Sequence, residues 1–248
     1  MMTSLLRADE SQVLYVPEPE WTDTWHPISH AKVVGAVGLA VQDAGFEVVD
    51  KTYTLTGKDY SNMFASWRLN IEEEGISYAV GMRNSMSKQF AVGMCSGTHI
   101  VVCSNMNFSG KYVEFRKHTG GLDYEQLAEM AKRAFGKVLK QIDQMKDWLK
   151  GLRERSINNI DIKLLTYDAM KSKLLLPTKF NDFVGCLESE ESIETSGTLF
   201  HFYNAFTRLI RDESLFAISH RSAKFTEFVD KWVVDHPVLR RRQCGHLV

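Results

Sequence analysis

Three polar clusters hold most of the side chains in the first half of the chain that could do chemistry. They are Arg83-Asn84-Ser85, Cys103-Ser104-Asn105 and Arg116-Lys117-His118-Thr119, and each ends or interrupts a short apolar run. Arg83 and the nearby Lys88 carry charges suited to holding a phosphate or another anion. Asn84 and Ser85 are residue types that hydrogen-bond their own backbone in turns. This first cluster reads either as a turn with one salt bridge or as a loop that faces a ligand. Asn105 either satisfies buried backbone groups after an apolar strand or faces the same ligand. In the third cluster, strand alternation sends Arg116 and His118 one way and Lys117 the other. That makes either a phosphate-binding strand end beside Gly120-Gly121 or an edge defended by charge against further pairing.

Lys132 and Arg133 add two cations early in a long helical stretch. Residues 111–155 carry eleven basic and seven acidic side chains, while the whole chain has a formal net charge of −1. A solvated helix face explains this bias as well as a binding face does, and binding to nucleic acid has to come from local asymmetry. The candidate nucleic-acid-binding set is thus Arg83, Asn84, Lys88, Asn105, Arg116, Lys117, His118, Lys132 and Arg133.

Bond chemistry finds less support. Cys103 and His118 are the nearest approach to a thiol and its base, and nothing in their spacing ties them together. The eight histidines are dispersed without an HExxH pattern, and Cys244-x-His246 stands near the end of the sequence. There is no Walker A loop and no GxGxxG, and Glu72-Glu73-Glu74 reads as an acidic turn. No catalytic residue, metal site or cofactor is expected.

The elements that must position these residues are clear in outline. A chain of 248 residues with 44% hydrophobic content can bury a sizeable core. Residues 1–28 read as an extended arm, because Pro17 and Pro19 discourage helix, with Trp21 and Trp25 as anchors on the core or on a neighbouring subunit. Residues 29–44 form a helix capped by Ser29, with Val33, Val34, Val37 and Val41 at helical spacing and Gly45 after it. Gly35 and Gly38 suggest close packing against another backbone. An antiparallel meander of about six strands follows over residues 46–117, at 46–56, 63–71, 76–82, 90–95, 99–103 and 111–117. Ser96-Gly97-Thr98 is expected to join the fourth and fifth strands.

From Asp123 to about residue 152 runs the longest helix. Ala128, Ala131, Phe135, Val138, Ile142, Met145, Leu149 and Leu152 make a heptad seam. At about 45 Å the helix is longer than most sheets need, so part of it is expected on another helix or subunit. Helices at 160–176, 198–212 and 222–234 complete a helical C-terminal half, the second of them apolar all round and hence buried. The class is α+β. Residues 29–155 make the core, 156–236 a helical region packed on it, and 237–248 a basic tail that includes Arg240, Arg241 and Arg242.

Four scattered cysteines without a CxxC fit reduced thiols in a cytosolic protein. The opening residues MMTSLLRADESQ lack a signal-peptide pattern and no window suits a membrane helix. A cytoplasmic location is expected, in the host cell if a phage encodes the chain.

The stretch VGMRNSMSKQFAVGMCSGTHIVVCSNMNFSG, with the later RKHT, resembles the phage- and plasmid-like proteins grouped as domain of unknown function 932. The family's RNSHD-like turn matches Arg83-Asn84-Ser85, with Met86-Ser87 in place of His-Asp. Its C-[SD]-N-x-x-F step matches residues 103–108, its RKHT matches residues 116–119, and FYNAFT at 202–207 resembles its LYNAFTE segment. The resemblance spans roughly residues 75–216. It implies a phage, prophage or plasmid origin and supplies no activity.

The order helix, meander, long helix is similar at fold level to the phage single-strand annealing proteins. The expected function is therefore binding of single-stranded DNA, with strand annealing and DNA recombination promoted by a homo-oligomer without bond chemistry. The alternative is a phage accessory or anti-defence protein that binds a host protein. A nuclease or hydrolase stands third.

Overall fold

The computed structural model describes residues 3–73, 75–100, 105–108, 112–116, 124–189 and 196–237. The fold is α+β, as the sequence indicates. Its antiparallel sheet contains β1 (Thr3–Ala8), β2 (Val48–Gly57), β3 (Asn62–Glu73), β4 (Ile76–Ser85), β5 (Val92–Ile100), β6 (Asn105–Phe108) and β7 (Val113–Arg116). Strands β1 to β6 are adjacent in chain order, and β6 and β7 share the outer edge of β5. From β2 to β6 short connections bring this about, since each strand returns directly beside its predecessor, whereas β1 is joined to β2 through residues 9–47.

Three local expectations are corrected. Residues 3–8, expected in an extended arm, pair with β2 as an edge strand, and a short helix α1 (Glu10–Leu14) follows. Trp21 is not an anchor in the core: it is 69% exposed and stacks on His26. The expected break at Ser96-Gly97-Thr98 is absent, because each of the three has a full partner in β4, namely Val80, Ala79 and Tyr78. Ser96 and Thr98 are buried there, and Gln141 of the long helix accepts the Ser96 amide proton. Polar residues with partners on both sides do not end a strand.

The sheet has a helical layer on each face. Residues directly opposite one another in register share a face, and the neighbours along each strand take the other. On one face lie Trp67, Val80 and Asn84, covered by α2 (His30–Asp43) and α3 (Tyr124–Glu154). Ser29 caps α2 by accepting from the Lys32 amide, and Gly45 with φ +80° follows its end, both as the sequence suggests. Gly38 approaches the Trp67 ring rather than another backbone. Burial of Trp67 to 2% exposure stabilises the fold by about 2–3 kcal/mol.

All eight residues of the α3 seam are buried inside the single chain. The first half of α3 packs on α2 and the sheet, where Phe135 meets Phe46 edge to face. The second half still touches the sheet, where Lys146 lies over Tyr78, and reaches α6 (Leu199–Leu209), where Trp148 meets Tyr203. The length of α3 is thus used within the molecule.

The opposite face carries Phe64, Arg83, Cys95 and Phe108 and is covered by α6 and α7 (Leu215–Asp235). Phe64 meets both Phe108 and Phe216, and Ser222 of α7 accepts the Phe108 amide proton. Gly81 permits this packing, since a Cβ there would meet Cys95 Sγ at 2.9 Å and Phe108 at 3.0 Å. Phe225 is the hub of the helical layer, stacked on Phe206, Phe202 and Tyr203. Two further helices, α4 (Asn159–Lys171) and α5 (Phe180–Glu188), complete the C-terminal half. Among the described residues no helix is long and apolar enough to cross a membrane. Residues 240–242 lie outside the described residues.

Candidate functional site

Among the described residues, Arg83 and Lys132 lie on opposite sides of the sheet. Arg83 lies in β4, not in a turn, and its guanidinium rests over the rings of Tyr112 at 3.9 Å and Phe90 at 5.2 Å. It borders a small cavity of about 300 Å³ with Phe216, Ser219 and His220. Asn84, the next residue, faces the other side and is fully buried. Its amide nitrogen donates to Ile28 O at 2.8 Å and to His30 Nδ1 at 2.9 Å, and His30 Nε2 donates to Tyr60 O at 3.0 Å. Asn84 joins the first helix to the sheet and is out of reach of a ligand, which corrects its place in the candidate set. Ser85 receives the amide protons of Ser87 and Gln89 and closes the following turn.

Lys88 sits in that turn with φ +65° and lies 4.9 Å from the Trp25 ring. Lys132 is on the far side of the sheet, paired with Asp43 at 2.8 Å and Glu129 at 3.3 Å. The hydrogen bond it donates to Asp43, then that to Glu129, raises its pKa. Arg133 is exposed on the same helix. Asn105 opens β6 opposite Ile100, and Arg116 closes β7 opposite Val92. Cys103, Lys117, His118 and Thr119 lie outside the described residues. The buried Cys95 has its thiol pushed up to about 12, chiefly by burial, so it stays protonated and inert.

A different constellation does form a site. Beyond the reach of α7, the sheet face of Phe64 is left open, and a groove of about 970 Å³ runs between it and the residues joining α6 to α7. Its depth comes from small residues, since Ser66 and Ala79 make the floor. Around them stand Asp50 and Arg68, paired across β2 and β3, and His99 on β5, which lies opposite Ser77 and Met106. Arg7 comes from β1, and Arg211, Asp212 and Glu213 come from the connection above.

Several of the groove's charges are already matched. Glu213 is bound by Arg221, Arg211 lies 3.5 Å from Asp212, and Lys51 lies 2.8 Å from Glu10. Burial pushes the Glu10 carboxyl up, but hydrogen bonds from Lys51 and Tyr53 outweigh it and hold Glu10 below its ordinary value. Tyr53 in turn is raised, first by burial and then by the Glu10 charge, and accepts from Trp67 Nε1 at 3.0 Å.

Arg68 and His99 differ from these. Arg68 Nε and His99 Nδ1 are shielded from solvent and have no hydrogen-bond partner among the described residues. Burial lowers the pKa of His99, the Arg68 charge lowers it further, and Asp50 partly offsets both. A half-buried arginine beside a neutral histidine over a small-residue floor can receive an anion with several acceptor oxygens.

Sequence reasoning missed this pair. The available signal was Arg68 inside the run MFASWRLNI and His99 inside CSGTHIVV, each a polar residue on an interior strand. Which face they share depends on the register of three strands, and that was not legible. No protein-family model matches the chain, and neither does any curated protein or solved structure.

Proposed function

We propose that the protein binds single-stranded DNA in the groove on the open sheet face and promotes annealing and recombination without bond chemistry, as a phage- or plasmid-derived oligomer. The observation that carries this reading is the groove itself, with Arg7 and Arg68 beside a floor of small residues. Cations on the walls neutralise one strand's phosphates, and the open side leaves its bases free to pair. The heptad seam contributes nothing to the oligomer, since it is buried within the chain.

The test is fluorescence anisotropy with a labelled single-stranded oligonucleotide and a duplex of the same sequence, over a range of salt. Two arginines, Arg7 and Arg68, at phosphates give a slope of log affinity against log salt of about −1.4. The expected result is preference for the single strand with that slope. Absence of binding at low salt, or binding indifferent to salt, overturns the reading.

A second reading, a partner protein, is favoured by α4. Ile160, Leu164 and Tyr167 are 75%, 38% and 63% exposed and fall on one helix face. Replacing Ile160 and Tyr167 by lysine is expected to abolish capture of a host protein if this face is used. Unchanged capture retires it.

A further inference from the structure

We propose that Arg68 and His99 form a phosphate seat in the floor of the groove, with the phosphate held over Ala79. It rests on the preceding reading only for the source of that phosphate. Arg68 on β3 and His99 on β5 flank β4, whose residues on this face are Ala79 and Ser77. Strands lie about 4.8 Å apart, so the two side chains rise on either side of a strip two strand spacings wide and lined by small residues. Ser77 is turned to Glu72 at 3.5 Å. What remains between Arg68 and His99 is an unfilled gap that both residues line, with Arg68 Nε and His99 Nδ1 shielded from solvent and without partners among the described residues.

The chemistry selects phosphate over carboxylate. A guanidinium engages a carboxylate through both of its oxygens in one plane, which leaves none for a histidine on the far side. A tetrahedral phosphate presents oxygens in both directions at once. Asp50 is opposite Arg68 in register and still makes no ion pair with it, so Arg68 is not neutralised by its own sheet.

Binding is coupled to a proton. The charged and polar groups around His99 are Arg68 on β3, Asp50 on β2, Ser77 on β4, and Arg211, Asp212 and Glu213 from the connection, with Met106 on β6. Burial and Arg68 keep the empty site's histidine neutral near neutral pH. A phosphate brings negative charge against the ring and favours its protonated form. The bound complex therefore holds a proton that the free protein lacks. Affinity rises as pH falls through the interval between the bound and free pKa values, by at most about tenfold per pH unit.

The experiment follows the His99 ring resonance of the full chain, identified by its loss in His99→Gln, through pH titrations with and without inorganic phosphate. Oligonucleotide affinity is measured on the same proteins at pH about 8, 7 and 6, with circular dichroism to confirm folding. Inorganic phosphate is expected to move the resonance and raise its titration midpoint. For the oligonucleotide, acid is expected to tighten binding to the wild type, while His99→Gln is flat with pH. Arg68→Gln is expected to lose about tenfold or more, and Arg68→Lys to recover part of it.

An insensitive His99 resonance, together with unchanged binding by Arg68→Gln, overturns the seat while leaving strand binding elsewhere in the groove intact. A phosphate-sensitive His99 in a protein that ignores oligonucleotides supports the seat for a free phosphate or a phosphate monoester, and overturns the single-strand reading instead.

Discussion

The two faces of the sheet each hold a histidine beside a polar partner, and the two pairs are built in opposite ways. On the α2 side, Asn84 and His30 are fully buried, and each donates to a backbone carbonyl. On the α7 side, Arg68 and His99 line a groove and leave ring and guanidinium nitrogens without partners. Buried polar groups in native proteins are almost always paired. Each pair keeps a shielded polar atom without a partner among the described residues, Asn84 Oδ1 on one side and Arg68 Nε and His99 Nδ1 on the other. The enclosed pair spends its donors on the backbone and is part of the fold, whereas the pair that lines an open groove is a place for something else. The comparison turns attention from the conspicuous Arg83-Asn84-Ser85 motif to two residues that stand in no motif.

The largest effect should come from breaking the paired cluster. Asn84→Leu leaves Ile28 O and His30 Nδ1 without their donor in the core. Two such groups cost about 1–3 kcal/mol each, so a loss of about 3 kcal/mol in urea unfolding is expected, and strand binding per folded molecule is expected to stay the same. Arg68→Gln should do the reverse. Removing a half-buried cation without a partner leaves the unfolding midpoint unchanged or raised. A loss near that of Asn84→Leu would show that Arg68 serves the fold.

The two histidines sharpen the contrast through pH. The folded pKa of His99 lies below its unfolded value of about 6.5. The unfolded chain therefore binds more protons in that interval. Stability is complete above about 6.5 and declines as pH falls from there through the lowered folded value. Chemical denaturation of His99→Gln across this range should lack that component of the decline. The smallest effect belongs to Lys132→Gln. Its ion pairs with Asp43 and Glu129 are solvent-exposed, so the unfolding midpoint should hardly move, and binding should not change at all.

Most of the fold was legible because its signals are local. Alternation in β2 and β3, the Ser29 cap, Gly45 and the α3 seam each depend on residues a few positions apart. The errors came where distant partners decide. Ser96-Gly97-Thr98 resembles a turn until β4 supplies its partners, and Asn84 resembles a turn residue until α2 supplies Ile28 and His30. Helix α7 begins at Leu215, ahead of the expected 222, with Ser214 as its cap. The added two turns carry Phe216 to Phe64. The groove gathers residues from β1, β2, β3 and β5, so they could not be assembled from spacing.

The most direct measurement sets Arg68→Gln against Lys132→Gln in one anisotropy titration with a single-stranded oligonucleotide at a fixed low salt. Each substitution removes a single positive charge, so general electrostatic attraction falls about equally in both. If the groove is the site, Arg68→Gln weakens binding by about tenfold or more and Lys132→Gln matches the wild type. Equal losses in the two variants would contradict a site in the groove and place the interaction in the charge of the molecule as a whole.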